Sequence, residues 1–329
     1  MSPKKKIVAL CGGVGGAKLA LGLAQLGPAY DLAIIANTGD DFEHLGLRIS
    51  PDIDTITYTL AGIANADTGW GRAGETWSFM DTLAELGGET WFRLGDKDLA
   101  VNILRTKLLG DGSSLSDVTS HVARNLGVSA EIIPMTDSEV CTEFQTDRGL
   151  LAFQDYFVRL QCAPVVSKIE FEGADEATPS PRFEQLLNCP NVSAFIICPS
   201  NPFISIDPIL AIPSVRESLA AHPAPVVAVS PVVDGNSIKG PTSKLMRELG
   251  LGSSSDVVAA HYKDIIDGFV LDSRDADLVA EIEASGIRTL TTNIVMSTLD
   301  DRCRLAREVN RFTSRIAHND CPPANKRER

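Results

Sequence analysis

Short apolar runs alternate with polar loops and amphipathic stretches along most of the chain. Residues 7–10, 32–36, 194–198, 226–229 and 269–271 are mostly apolar and only a few positions long, the signature of strands buried on both faces, and 288–290 is a further strand-like run. Each run leads into a polar segment and then a helical pattern: 32–36 into NTGDD, 194–198 into PSNPFISI, 226–229 into SPVVDG, 269–271 into DSRDAD and 288–290 into TTNIVM. This alternation predicts an α/β fold, a doubly wound, mainly parallel Rossmann-like sheet that gathers ligands at the carboxyl ends of its strands. Residues 77–86, 98–109 and 115–126 read as helices, the last placing Leu115, Val118, Val122 and Leu126 on one face. Residues 131–134, 139–146 and 150–159 read as strands, the last two joined by the turn Asp147-Arg148-Gly149, which suggests a small antiparallel β annex. The predicted organisation is a Rossmann-like core from 1–60 and 190–316, a helical and β-hairpin insertion at 61–189, and a disordered tail at 317–329, with 1–3 also disordered.

The stretch IVALCGGVGGAKLALGLAQLG, 7–27, joins the first strand to the first helix through a glycine turn. Backbone N–H groups at such a helix start favour an anion, usually phosphate. Two familiar phosphate loops fit poorly. A Rossmann fingerprint needs glycine or alanine where Lys18 stands, and a Walker A lysine lies between glycine and a hydroxyl residue, whereas Ala17 and Leu19 flank Lys18. A tight turn packed against its neighbours is the competing explanation of the glycines.

Composition narrows the ligand. The formal charge of −13 over 329 residues leaves no basic stripe for a nucleic-acid backbone. The seven cysteines show no C-x-x-C pair and read as reduced thiols. No apolar run approaches the length of a membrane span or a signal segment, so a cytoplasmic protein without a membrane is expected.

Chemistry concentrates at the expected strand ends. NTGDDFEHLGLRISPDIDT, 37–55, carries Asp40 and Asp41 after a strand, then Asp52 and Asp54 behind Pro51 at the start of an apolar helix. Clustered carboxylates beside an anion loop suit Mg²⁺, which takes one or two carboxylates and completes its shell on substrate phosphates. Helix capping by Asp52 and solvation of Asp41 are the plainer alternatives. Ser200 and Asn201 follow the strand at 194–198, and prolines are expected to hold that loop extended. Gly240 and Pro241 are placed to start a helix whose N–H groups and Lys244 meet phosphate. The five histidines show no metal spacing and no nucleophile partner.

GGVGGAK, NTGDD, SPDIDT, Gly69-Trp70, LGDKDLA, FQDYFVR, PSNPFISI and SPVVDG-x₄-GPTSKLM follow one another in this order from about 7 to about 316, and together they resemble the 2-phospho-L-lactate transferase family (CofD and FbiA) of coenzyme F-420 biosynthesis. The resemblance implies a Mg²⁺-dependent enzyme that joins Fo, a riboflavin-like deazaflavin alcohol, to a phosphorylated three-carbon acid: phospholactate, phosphoenolpyruvate or 3-phosphoglycerate. The donor is that acid activated as a guanosine-diphosphate-type anhydride, supplied by a partner guanylyltransferase, and GMP leaves. A homodimer is the family's expectation.

Carried over by motif, Asp40 and Asp54 are the metal and Fo-hydroxyl carboxylates and the catalytic pair, with Asp41 and Asp52 in support. Gly12, Gly13, Gly15, Gly16 and Lys18 face the donor phosphates, joined by Ser200, Asn201, Gly240 and Lys244. Asp96, Lys97 and Asp98 contact Fo within the insertion that covers it. Lys97, Phe157 and Asp207 depart from the family pattern, where arginine, tryptophan and glycine are usual. The alternatives from other classes are a nucleotide-sugar-binding regulatory protein of the same superfamily without transferase activity, and a nicotinamide dehydrogenase, which Lys18 and the absence of a catalytic histidine disfavour.

Overall fold

The structure, a computed structural model, describes residues 4–318. Its centre is a seven-stranded, wholly parallel sheet, numbered in chain order β1 (Lys5–Cys11), β2 (Tyr30–Ala36), β3 (Glu131–Pro134), β4 (Val192–Ile197), β5 (Val226–Val229), β6 (Gly268–Asp272) and β7 (Arg288–Thr292). Across the sheet the order is β7-β6-β5-β4-β1-β2-β3. The order in which successive strands are laid down therefore reverses between β1 and β4, and a crevice opens there at the strands' carboxyl ends. The expected strand at 131–134 belongs to this sheet, pairing with β2, so the segment 61–189 returns to the core instead of forming a wholly separate insertion.

Alternation along β1 supplies both faces of the core. Val8 and Leu10 enter one buried cluster, while Ile7, Ala9 and Cys11 enter the other with helix α1 (Gly13–Ala24) and the long helix Leu299–Ala317. The latter helix starts with a reciprocal capping box between Thr298 and Asp301. Helices α2 (Pro51–Leu60), α3 (Ser78–Glu85), α4 (Asp96–Gly110) and α5 (Leu115–Asn125) follow α1, and Val118 and Val122 bury the expected face of α5 against Tyr58 and Val101. Among the described residues no helix is long and apolar enough to cross a membrane. Of the expected tail, Ala317 closes the last helix, and 319–329 lie outside the described residues, as do 1–3.

The antiparallel annex has three strands, Gly149–Ala152, Cys141–Thr146 and Val166–Glu172 in spatial order. The strand expected at 150–159 stops at Ala152, and Asp155–Arg159 coils into a π-helical turn, with Leu160 N–H donating to the Asp155 carbonyl at 2.8 Å. That turn buries Tyr156 and leaves Phe153 and Phe157 on the crevice. The loop after β4 differs likewise: Pro202 begins a π-helical turn, Pro202–Ile206, capped by Asn201 Oδ1 accepting from Phe203 N–H at 3.0 Å. Proline's fixed φ suits a first helical position as well as an extended loop, and here the Asn cap selects the helix.

Candidate active site

The crevice is a cavity of about 690 Å³ at the β1/β4 switch point. Its polar pole is built from the glycine turn, the end of β2, the start of α2 and the loop after β4. Its other pole is aromatic, with Tyr58, Trp91, Phe92, Phe153 and Phe157 on the wall and Trp70 at the mouth, 53% exposed.

The glycine turn is packed tightly by protein on one side. A Cβ at Gly15 would stand 2.4 Å from the Pro199 carbonyl oxygen, one at Gly16 would meet Ser200 Oγ at 2.4 Å and Cys11 Sγ at 2.8 Å, and one at Gly12 would meet Asp52 Oδ2 at 2.5 Å. The glycines thus bring three strand-end loops together, the packing explanation of their presence. Of the first-turn amides, Gly12 N–H donates to Ser200 Oγ (3.2 Å) and Gly13 N–H to Asp52 Oδ1 (2.6 Å). Asp52 sits at the start of its own helix and also holds the N-terminus of α1. The amides of Val14 and Gly15 have no partner within the helix, and both residues line the cavity. Both explanations of the turn therefore hold, on different amides.

Asn37, fully buried at the end of β2, organises the acids: its Nδ2 donates to Asp52 Oδ2 (2.9 Å), Asp40 Oδ1 (3.3 Å) and the Ile204 carbonyl (3.3 Å). Burial raises the Asp40 carboxyl well above its ordinary range, and Asp52, Asp41 and Asp54 raise it further. Burial lifts Asp52 to about 6 against the hydrogen bonds from Asn37 and Gly13 N–H. Asp54 is raised by burial and held down by Arg105, a guanidinium 2% exposed that donates to Asp54 Oδ1. Asp98 lies at the aromatic pole, accepts a 2.6 Å hydrogen bond from Tyr58 Oη, and is lifted to about 7, first by burial and then by the charge of Asp54.

The family model described as 2-phospho-L-lactate transferase CofD matches residues 7–303, a span that contains the turn, the acids and most of both poles. The chain belongs to this family. It is 39% identical over 320 residues to a phosphoenolpyruvate transferase of Kitasatospora aureofaciens, covering 95% of this chain and 99% of that one. It is 37% identical over 316 residues to a 2-phospho-L-lactate transferase of Methanopyrus kandleri, covering 94% and 98%. A solved structure of an upf0052 family member from Bacillus halodurans superposes with a TM-score of 0.61 over 94% of this chain and all of that one, and at 13% identity it shows the fold alone.

Within this CofD-family chain the structure brings Asp40, Asp52, Asp54, Asp98, Gly12, Gly13, Gly15, Lys18, Ser200, Asn201 and Gly240 to one cavity. Other expected site residues are placed elsewhere. Asp96 caps α3, accepting from Thr76 Oγ1 (2.6 Å), Phe79 N–H (3.1 Å) and Ser78 N–H (3.2 Å), because α4 starts beside the start of α3. Lys97 points outward and donates to the Gly74 carbonyl at 2.6 Å. Lys244 lies behind the cavity, donating to Glu248 Oε2 (2.7 Å) and the Pro164 carbonyl (2.8 Å), which fastens helix Thr242–Glu248 to the annex. Gly16 faces Cys11 and Ser200, and Asp41 accepts from Ser50 Oγ at 2.6 Å, its carboxyl lifted to about 8 by burial. Of the departures, Phe157 lines the cavity, stacked on Phe153 at 5.3 Å, and Asp207 pairs with His261 away from it.

Two residues that the sequence did not single out are Arg105, which holds Asp54, and Lys239, which lines the cavity. Arg105 lies in the apolar stretch ILRTKLL with no motif to mark it, and Lys239 lies in the four-residue spacer of SPVVDG-x₄-GPTSKLM. Among the described residues no three His, Cys, Asp or Glu side chains converge as a metal cage. Asp40 and the second oxygen of Asp54 nevertheless suit a hard cation that takes its remaining ligands from phosphate, since a cation would relieve both the burial of the Asp40 carboxyl and its repulsion by Asp52, Asp41 and Asp54.

Proposed function

We propose that the protein transfers a phosphorylated three-carbon acid from its guanosine-diphosphate-activated form to the terminal hydroxyl of Fo and releases GMP, in the biosynthesis of coenzyme F-420. The observation that carries this reading is the two-pole cavity: open amides and Lys18 at one end, a wall of aromatic rings at the other, and the acids Asp40 and Asp54 on its lining. A flat deazaflavin fits the aromatic pole, and an anhydride fits the amide pole. The names of the relatives at 39% and 37% identity support the acid-transfer chemistry.

In this reading the Val14 and Gly15 amides and Lys18 hold the donor's phosphates, and Asp54, fixed by Arg105, orients the Fo hydroxyl toward the phosphorus that bears the acid. Tyr58, one turn along α2 from Asp54, and Asp98, which accepts from it, place the acceptor beside that carboxylate. Mg²⁺, held by Asp40 and Asp54 when bound, supplies neutralisation of phosphate charge. No covalent enzyme intermediate is needed, because GMP is a good leaving group and positioning provides most of the acceleration.

The test is to supply Fo, Mg²⁺ and each of the three guanosine-activated acids and to identify the product by mass. A phosphodiester of Fo with one of the acids, accompanied by GMP, is expected, and the preferred donor names the acid. Absence of any Fo adduct with all three donors would overturn the proposal in favour of a nucleotide-binding protein without transferase activity.

A further inference from the structure

The π-helical turn Pro202–Ile206 has two faces. Asn201, Ile204 and Ser205 line the cavity, and a Cβ built on Gly12 would stand 2.7 Å from Ser205 Cβ, so the turn packs directly on the glycine turn. The Ile204 carbonyl accepts from Asn37 Nδ2 at 3.3 Å, which ties the same turn to the residue that organises the acids. Phe203 lies on the other face, and its ring meets that of His261 edge to face with centroids 5.1 Å apart. Asp207, the residue after the turn, reaches the same imidazole, its Oδ1 accepting from His261 Nε2 at 2.8 Å. Phe203, Asp207 and His261 are all outside the cavity lining.

π-helical winding is uncommon and needs support from its surroundings. Here the Asn201 carbonyl accepts at once from Ser205 N–H at 3.0 Å, an α-helical bond, and from Ile206 N–H at 3.3 Å, the wider π bond. The turn thus stands between two windings, and the groups that grip it decide which one it keeps. Its start is fixed by the Asn201 cap. Its middle and end are held by His261, through Phe203 and Asp207. His261 closes the helix Ser255–His261 and is itself anchored: Arg216 Nη2 donates to its carbonyl at 3.0 Å, and Asp264 grips Arg216 with two bonds of 2.7 Å. The imidazole and the Asp207 carboxyl are 26% and 19% exposed, shielded enough for their bond to count for more than that of an open surface pair.

We infer that His261 is a positioning residue for the transfer: from outside the cavity, through Asp207 and Phe203, it holds the turn that presents Asn201 and Ser205 to the donor. The inference rests on the proposed transfer for its effect on turnover, and on geometry alone for its hold on the turn. Released at Asp207, the turn is free to tighten onto the α-helical bond that Ser205 N–H already makes, which rotates Asn201 and Ser205 relative to the glycine turn. Misplacement on that scale weakens a site built on fixed geometry, although no group that touches the substrate has been removed.

Hydrogen exchange and steady-state kinetics on the full chain test the hold and its consequence separately. His261→Phe keeps a ring against Phe203 and removes the donor to Asp207, His261→Gln keeps a donor, and Asp207→Ala releases the pair from the other side. In His261→Phe and in Asp207→Ala the amides of 203–207 should exchange at least about tenfold faster while those of the central strands keep their protection. The KM for the guanosine-activated donor should rise about tenfold and the KM for Fo should stay as it was, and His261→Gln should recover most of the loss. Unchanged exchange at 203–207 in both variants would overturn the inference. So would equal losses for donor and Fo, or a glutamine variant no better than the phenylalanine one, since either result marks a merely structural contact. Faster exchange at 203–207 in a protein that yields no Fo adduct from any donor leaves the hold standing and overturns the transferase reading. An adduct formed with unaltered donor KM in both variants leaves the transfer standing and removes His261 from it.

Discussion

Arg105 meets Asp54 from beneath the cavity: its guanidinium, 2% exposed, donates to Asp54 Oδ1 and also to Asn102 Oδ1 at 2.6 Å. The carboxylate is thereby fixed on one oxygen and left free on the other. Arg105→Leu leaves Asp54 buried without its cation, which should cost ~3–5 kcal/mol of folding stability. Asp54→Asn should cost a comparable amount, because it leaves the guanidinium without its anion. Denaturant titrations of the two single variants and the double variant check this coupling: a double-variant loss clearly smaller than the sum is expected, and strict additivity would show that the pair does not interact.

Asp40→Asn separates function from stability more cleanly. Asp40 is raised by burial and by three neighbouring acids and has no cationic partner, so removing its charge relieves repulsion while an amide oxygen can still accept from Asn37. Turnover should fall by at least two orders of magnitude, whereas the melting temperature without metal should hold or rise, and the rise produced by Mg²⁺ in the unaltered protein should vanish. A variant still stabilised by Mg²⁺ to the original extent would remove Asp40 from the metal site.

The acids also set a pH dependence. Asp52, Asp98 and Asp41 have folded-state values of about 6, 7 and 8, all above the unfolded value of 3.8. Between roughly pH 4 and pH 8 the folded protein thus holds on these acids protons that the unfolded chain has released, and they make stability fall as pH rises through this window, opposed there by His44, which burial lowers in the fold. Asp264 and Asp272, lowered in the fold, act only below it. Melting curves in chelator should show the decline, and saturating Mg²⁺ should flatten it. A melting temperature that climbs from pH 5 to pH 8 in chelator would contradict the raised values.

Gly15→Ala tests the packing side of the glycine turn. Its Cβ would meet a backbone carbonyl at 2.4 Å, a neighbour that cannot rotate away. The substitution should cost roughly 1–3 kcal/mol of stability and weaken GMP and Fo by similar factors. Selective loss of GMP at unaltered stability would show instead that the Cβ position faces the ligand.

The strands were legible because burial on both faces leaves a nearly continuous apolar run, and the boundaries of β5 coincide with those read from the sequence. Strand 131–134 was legible as a strand but not as a member of the central sheet, since pairing with β2 is a property of distant residues. The π-helical turns at Asp155–Arg159 and Pro202–Ile206 were missed, because their apolar, β-favouring composition reads as extended chain while i→i+5 bonding depends on packing. At the site, Asp40, Asp52 and Asp54 announce themselves as clustered acids after strands, whereas Arg105 becomes visible only when α4 is laid beneath α2. Lys244 was drawn in by its motif, yet one helical turn later Glu248 holds it on the annex side.

The direction of transfer is the last expectation. In the proposed transfer the nucleotide phosphate sits along Val14, Gly15 and Lys18 and Asp54 presents the Fo hydroxyl, so the phosphorus expected to be attacked is the one bearing the acid. A donor labelled at the guanosine α-phosphorus should therefore deliver all its label to GMP, and the Fo product should carry one unlabelled phosphate. Attack at the other phosphorus would instead give guanylylated Fo and free phospho-acid, and it would require the acceptor to approach from the side of α1 that Lys18 and Lys239 occupy. Label recovered in the Fo product, or release of GDP, would reverse the orientation of the donor in the cavity.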